Sequence, residues 1–153
     1  GNVTSQILRA VGGLFHRRKA SNGEGGWWIA TEISVQYLNT DRILQADLAG
    51  WKRDQHSQPP DGFPVTVRPD WVCEVCHTTR KKDRELVPDT LSKAGVPYYW
   101  FVDAEELSLE VWELQMDKSW KIIKILTEKN EEQFIQPFVT RTLSPKQLLQ
   151  KDW

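Results

Sequence analysis

Between Trp71 and Val102 the chain passes from one dense apolar run, Trp71-Val72-Cys73-Glu74-Val75-Cys76, through a helical stretch to a second, Tyr98 to Val102. Runs that are apolar on both faces mark strands covered on both sides. The intervening stretch, Asp83 to Ala94, reads as a helix that ends at Gly95, a C-cap residue, with Pro88 expected to set the start of the regular helix. Strand, helix and strand in that order require a crossover, and therefore at least one parallel pair. Hairpins on either side make the sheet mixed. Trp27 to Leu38 and Arg42 to Trp51 are joined by the turn Asn39-Thr40-Asp41, and Leu107 to Leu114 and Trp120 to Thr127 by Asp117-Lys118. The fold class this implies is α/β, a mixed β-sheet flanked by helices.

The remaining segments fit that frame. Val3, Ile7, Leu8, Val11, Leu14 and Phe15 recur at the spacing of a one-faced helix over Asn2 to Lys19, weakened by Gly12-Gly13 and favoured at its end by Arg17, Arg18 and Lys19. On the first long strand Ile29, Thr31, Ile33 and Val35 are expected on one side, with Glu32 on the other. Residues 53–64, polar and carrying three prolines, form a loop. Ser144-Pro145 opens a short terminal helix. At 153 residues the chain is expected to be a single domain over residues 1–153. Most of the eight tryptophans, which sit in or beside strand runs, are assigned to core and sheet packing.

Composition limits the partners. Twenty basic residues nearly balance twenty-one acidic ones, for a net charge of −1, so affinity for DNA has to come from a local patch. No long apolar span or leader pattern occurs, and two cysteines make no disulfide framework; the expected setting is a reduced cytoplasm with no membrane contact. In a bacterial cytosolic chain the sequon Asn2-Val3-Thr4 goes unused.

Two acids interrupt the apolar runs, Asp47 in ILQADLAGW and Glu74 in PDWVCEVCH. An ionised carboxylate is costly in such a strand unless a cation or hydrogen-bond donors compensate it. If the hairpin strand carrying Asp47 lies beside the strand of Glu74, both acids converge on one hard divalent metal ion. Glu32, close to Asp47 across the hairpin, is a candidate third acid or the orienter of a water. Arg80, Lys81, Lys82 and Arg84 follow Glu74 and are candidate phosphate contacts, although such a cluster is more often a solvated turn. The alternative for the acids is structural: ion pairs with arginines such as Arg42, Arg68 or Arg80. Cys73-Glu74-Val75-Cys76-His77 spells the haem-attachment pattern, but residues three apart on a strand point to opposite faces, so neither haem nor zinc is expected. His16 and His56 are expected at the surface.

The segments GWWIATEISV, ILQADLAGWKRD and RPDWVCEVCHTTRKKDRELVPDTLSKAGVPYYWFVDAEELSLEVWEL, in this order and spacing, resemble the Uma-two family of the PD-(D/E)XK nuclease superfamily over about Gly26 to Leu114. The resemblance implies a restriction-endonuclease-like mixed sheet flanked by helices, a magnesium or manganese ion, and hydrolysis of DNA phosphodiesters. By position it makes Asp47 the first metal-binding acid, Glu74 the second, the Val75 carbonyl a further ligand, and Glu32 the acid on the preceding strand. It also marks departures. The positions where such enzymes carry a lysine hold Cys76 and Val87, leaving Lys81 or Lys82 as substitutes. The family's S-P-S-T loop is replaced by His77-Thr78-Thr79. Strands implied ahead of the first helix are not seen in a sequence that opens on a helical pattern. A nuclease fold that has lost catalysis and binds DNA or a protein is therefore a second reading. Homodimers are common on this fold.

Overall fold

The computed structural model describes residues 2–16, 26–77 and 81–150, of which 2 and 81–84 are described by backbone alone. A first helix, α1 (Asn2–Ile7), runs through a π-helical turn at Leu8–Gly12 into α2 (Gly13–Phe15). Val3, Ile7, Val11 and Phe15 are all buried. They lie four apart, a spacing that drifts around a regular α-helix; the wider π turn at Leu8–Gly12 brings the stripe back onto one line. Gly12 and Gly13, expected to weaken this helix, lie where that turn hands over to α2. The expected basic end, Arg17 to Lys19, falls outside the described residues.

Six strands follow in one sheet of order β1-β2-β3-β4-β5-β6: β1 (Trp27–Tyr37), β2 (Arg42–Lys52), β3 (Trp71–Cys76), β4 (Tyr98–Asp103), β5 (Ser108–Leu114) and β6 (Trp120–Thr127). Both expected hairpins are present, β2 pairs antiparallel with β3, and β3 pairs parallel with β4 through the crossover helix α3 (Lys81–Ala94). The sheet is thus mixed, as the strand–helix–strand passage requires. Gly95, at φ 80°, closes α3 as expected. Its N–H bonds the Ser92 carbonyl and that of Val96 the Leu91 carbonyl, with Leu91 and Val96 both fully buried, a Schellman cap with its apolar contact.

Three details differ from the sequence reading. Helix α3 begins at Lys81 and continues through Pro88 instead of starting there. Pro88 is buried against the sheet, and its carbonyl accepts a bond from Trp120 Nε1 at 2.9 Å, so tertiary packing outweighs the proline's local cost. A second sheet, β7 (Gln133–Ile135) with β8 (Phe138–Leu143), has no counterpart in that reading. It delivers Phe138 into a nest of rings 4.8–5.5 Å from Phe15, Trp27, Trp71 and Trp100. The third concerns β1: Trp27 and Ile29 join the core on one face of the sheet, while Val35 and Tyr37 join the core on the other, with Ile33 packed against it. Strict alternation fails at Glu32, whose φ is 47°. In β2 the same reversal separates Ala46 from Leu48.

The sheet has a core on each face. The first helix, β7–β8 and α4 (Pro145–Leu149) cover one, around Trp71, Trp100 and Phe138. Helix α3 covers the other, around Trp51, Val72, Leu91 and Tyr99. Ser144 caps α4 with Pro145 in its first turn, as expected. Among the described residues no helix is long and apolar enough to cross a membrane.

Candidate active site

Strand β2 meets β3 over Leu48↔Cys73, Ala49↔Val72 and Gly50↔Trp71, and the ladder stops there. Continuing that register by one residue sets Asp47 opposite Glu74. The hairpin register, which pairs Thr31 with Leu48 and Ile33 with Ala46, likewise sets Glu32 opposite Asp47, the one pair missing from an otherwise continuous ladder. The three acids chosen from the sequence therefore occupy one row across β1, β2 and β3, at the point where both strands of the hairpin reverse their faces.

The geometry of Asp47 follows from that break. Its half-buried carboxylate reaches across the end of the ladder, where Oδ2 accepts a 2.7 Å hydrogen bond from the Val75 N–H. A side-chain oxygen thus takes the place of a main-chain carbonyl, and an N–H at the parting of two strands is satisfied. The Cys76 carbonyl accepts from Ala104 N on the β4 side. By strand alternation the Val75 carbonyl faces the opposite way, toward Asp47.

Glu74 is half-buried on the α3 side, the face of Val72. Its electrostatic reach marks its neighbours. Burial pushes the phenols of Tyr37 and Tyr99 well above the usual tyrosine range, and the Glu74 charge pushes both further. The fully buried Cys73 thiol is raised by burial first, then by the charges of Asp47 and Glu74.

Glu32 is exposed. Among the described residues no three side chains of His, Cys, Asp or Glu form a group that could hold a metal ion. The oxygen donors that the register brings to this row are the Asp47 and Glu74 carboxylates and the Val75 carbonyl, hard ligands of the kind magnesium and manganese take. By donor type the set suits such an ion, whereas zinc and haem mainly take nitrogen and sulfur ligands. Cys73 lies in one core and Cys76 packs against the other, so the pair does not grip one ligand together. Cys76 and Val87, at the two lysine positions, both pack against the α3-side core.

Of the basic cluster, Arg80 lies outside the described residues, and Lys81, Lys82 and Arg84 are described as backbone in the first turn of α3. The arginines considered as partners for the acids are used elsewhere: Arg42 pairs with Asp89 at 3.0 Å and Arg68 with Asp70 at 3.2 Å. The two histidines do more than sit at the surface. His16 Nδ1 accepts the Ile29 N–H at 2.9 Å, and the His56 carbonyl accepts from Trp28 Nε1.

Sequence reasoning missed two features. Asp70, 2 % exposed, accepts the Lys52 N–H at 2.8 Å and fixes the approach of β2 to β3; the only signal was its place just ahead of a strand, after Arg68-Pro69. Beyond β3, Tyr99, Phe101, Glu110 and Trp112 of β4 and β5 line a cavity of about 310 Å³ with Pro88 of α3. No local pattern announces it, because it is assembled by pairing between strands.

The fold has a counterpart of known structure, a protein from Anabaena variabilis ATCC 29413 described as "a putative nuclease belonging to DUF820". The two superpose with a TM-score of 0.70 at 16% sequence identity, over 97% of this chain and 78% of the other. No curated protein matches the sequence. The family model of Uma2, described as "Putative restriction endonuclease", matches residues 1–144, and the chain belongs to that family.

Proposed function

We propose that this chain is a metal-dependent endonuclease that hydrolyses DNA phosphodiester bonds in the cytoplasm. The observation that carries the reading is the Asp47 carboxylate lodged at Val75 across the end of the β2–β3 ladder, opposite Glu74. Family membership and the nuclease fold support it. Asp47, Glu74 and the Val75 carbonyl would hold magnesium or manganese, which when bound supplies charge stabilisation at the phosphate and a more acidic water.

The remaining roles belong to the chain. Glu32, opposite Asp47, orients the attacking water. Lys81 and Lys82 contact the phosphate or that water. Their place in the first turn of α3 suits this role, since the positive end of a helix dipole favours an anion and disfavours cations that have none to meet. A symmetric dimer presents one such site to each strand of a duplex.

A second reading has its own observation. Cys76 and Val87 are packed into the α3-side core, so neither position offers a cation, and a nuclease fold without catalysis would keep the acids and bind DNA or protein. Calorimetric titration of magnesium and manganese into wild type and Asp47→Asn, followed by plasmid nicking with the same samples, separates the two. Metal binding that needs Asp47, together with nicking, is expected for the enzyme. Metal binding without nicking selects the second reading, and no metal binding refutes the metal site.

A further inference from the structure

Glu74, Phe101 and Glu110 are register partners across β3, β4 and β5, so all three side chains rise from the same face of the sheet. Glu110 therefore stands two strand spacings from Glu74, roughly 10 Å. Between the strands and α3 at this point lies the cavity of about 310 Å³ lined by Pro88, Tyr99, Phe101, Glu110 and Trp112. Among the described residues its walls are rings and a proline, and the one charged group is a carboxylate. Trp112 Nε1 donates to Glu110 Oε1 at 3.1 Å, which fixes the carboxylate and leaves Oε2 to accept another bond. A shift of register beside Val111 and Trp112 interrupts the β5–β6 ladder here, the kind of irregularity that re-aims side chains near sites.

The chemistry selects the occupant. A half-buried carboxylate repels a phosphate and attracts a hydrogen-bond donor, while aromatic walls favour a flat ring. The volume is at the small end of ligand sites, enough for one compact planar group. A phosphodiester held at Asp47 and Glu74 places its own base within reach.

We infer that this cavity receives one unstacked nucleobase bearing an exocyclic amino group, cytosine, adenine or guanine, whose amino hydrogen is accepted by Glu110 and whose ring lies against Trp112 and Phe101. The inference rests on the nuclease reading for the position of the phosphate. Carboxylates accept from the cytosine amino group, whereas thymine offers an acceptor at the equivalent edge and is refused. A base already out of the stack is the substrate that costs least to admit.

The test measures binding of fluorescently labelled duplexes, identical except for one unpaired cytosine, adenine or thymine, to wild type, Glu110→Gln and Trp112→Phe. Calcium is present as the hard divalent ion. Wild type is expected to bind the cytosine and adenine duplexes about tenfold more tightly than the thymine duplex. Glu110→Gln, whose amide can accept from an amino group or donate to thymine, reduces that ratio to below about twofold. Trp112→Phe, which removes both the stacking indole and the donor that fixes Glu110, weakens binding of all three. Equal binding of the three duplexes by wild type, or a ratio unchanged in Glu110→Gln, overturns the inference. Plasmid nicking in magnesium is read in parallel. Nicking without base preference removes the pocket and leaves the nuclease, and base preference without nicking keeps the pocket and removes the enzyme.

Discussion

Asp47 has an observed hydrogen bond and a proposed metal role, which different substitutions take apart. Its Oδ2 satisfies the Val75 N–H, and its charge would serve a metal. Asp47→Asn keeps an acceptor oxygen and discards the charge, whereas Asp47→Ala discards both and strands a half-buried N–H. We expect Asp47→Ala to lower unfolding stability by about 1–3 kcal/mol and Asp47→Asn by less, as measured by urea denaturation. Equal losses would mean that the hydrogen bond contributes nothing. The neighbouring groups set a pH dependence of known sign. Burial, then Asp47 and Glu74, hold the Cys73 thiol protonated in the folded state, and burial with Glu74 does the same for Tyr37 and Tyr99. These groups release protons more easily when unfolded, from about pH 8.5 for cysteine and about pH 10 for tyrosine. Stability is therefore intact below those values and falls as pH rises through them, because the unfolded chain then binds fewer protons. Denaturation midpoints should be flat from pH 7 to about pH 8.5 and decline above it; a rise would reverse the assignment.

Among the elements, β2 shows how closely the hairpin is fitted to the sheet. A Cβ built on Gly50 would lie 3.0 Å from Trp27 Cε3 and 3.1 Å from Trp71 Cε3. The two rings close over the bare backbone, and neither can retreat, since Trp27 and Trp71 are both packed against Phe138. Gly50→Ala should cost about 1–3 kcal/mol by overpacking, read from the shift of the denaturation midpoint; a neutral result would show that the rings can move. The same elements show what a sequence discloses. The two hairpins, the crossover helix with its glycine cap and the terminal Ser-Pro helix were legible because turn residues and apolar runs are local signals. Asp47 and Glu74 stood out as acids inside apolar strands, and the structure sets them across from one another. What was not legible depends on distant pairing: the face reversal at Glu32, the helix that accommodates Pro88, the β7–β8 hairpin around Phe138 and the cavity at Glu110. Each is decided by packing between segments far apart in the chain.

At the scale of the whole molecule, strands β2 to β5 feed alternate residues into both cores, so Cys73 belongs to one and Val72 to the other. Neither core can dissolve while the other stands, and residues 1–153 should unfold as one cooperative unit, with tryptophan fluorescence and far-ultraviolet dichroism giving coincident transitions. That cooperativity turns the candidate site into something the whole fold reports. An ion held by Asp47, Glu74 and the Val75 carbonyl would draw its ligands from both β2 and β3, which only the folded chain brings together. Magnesium at ten times its dissociation constant should then raise stability by about 1.4 kcal/mol, or roughly 3–6 °C in melting temperature for a chain of this size. In Asp47→Asn the shift should vanish. This melt does not depend on Lys81, Lys82 or any catalytic step. A wild-type melting temperature indifferent to magnesium and manganese would therefore refute the metal site itself, whereas a shift lost in Asp47→Asn would establish it even in a chain that cuts nothing.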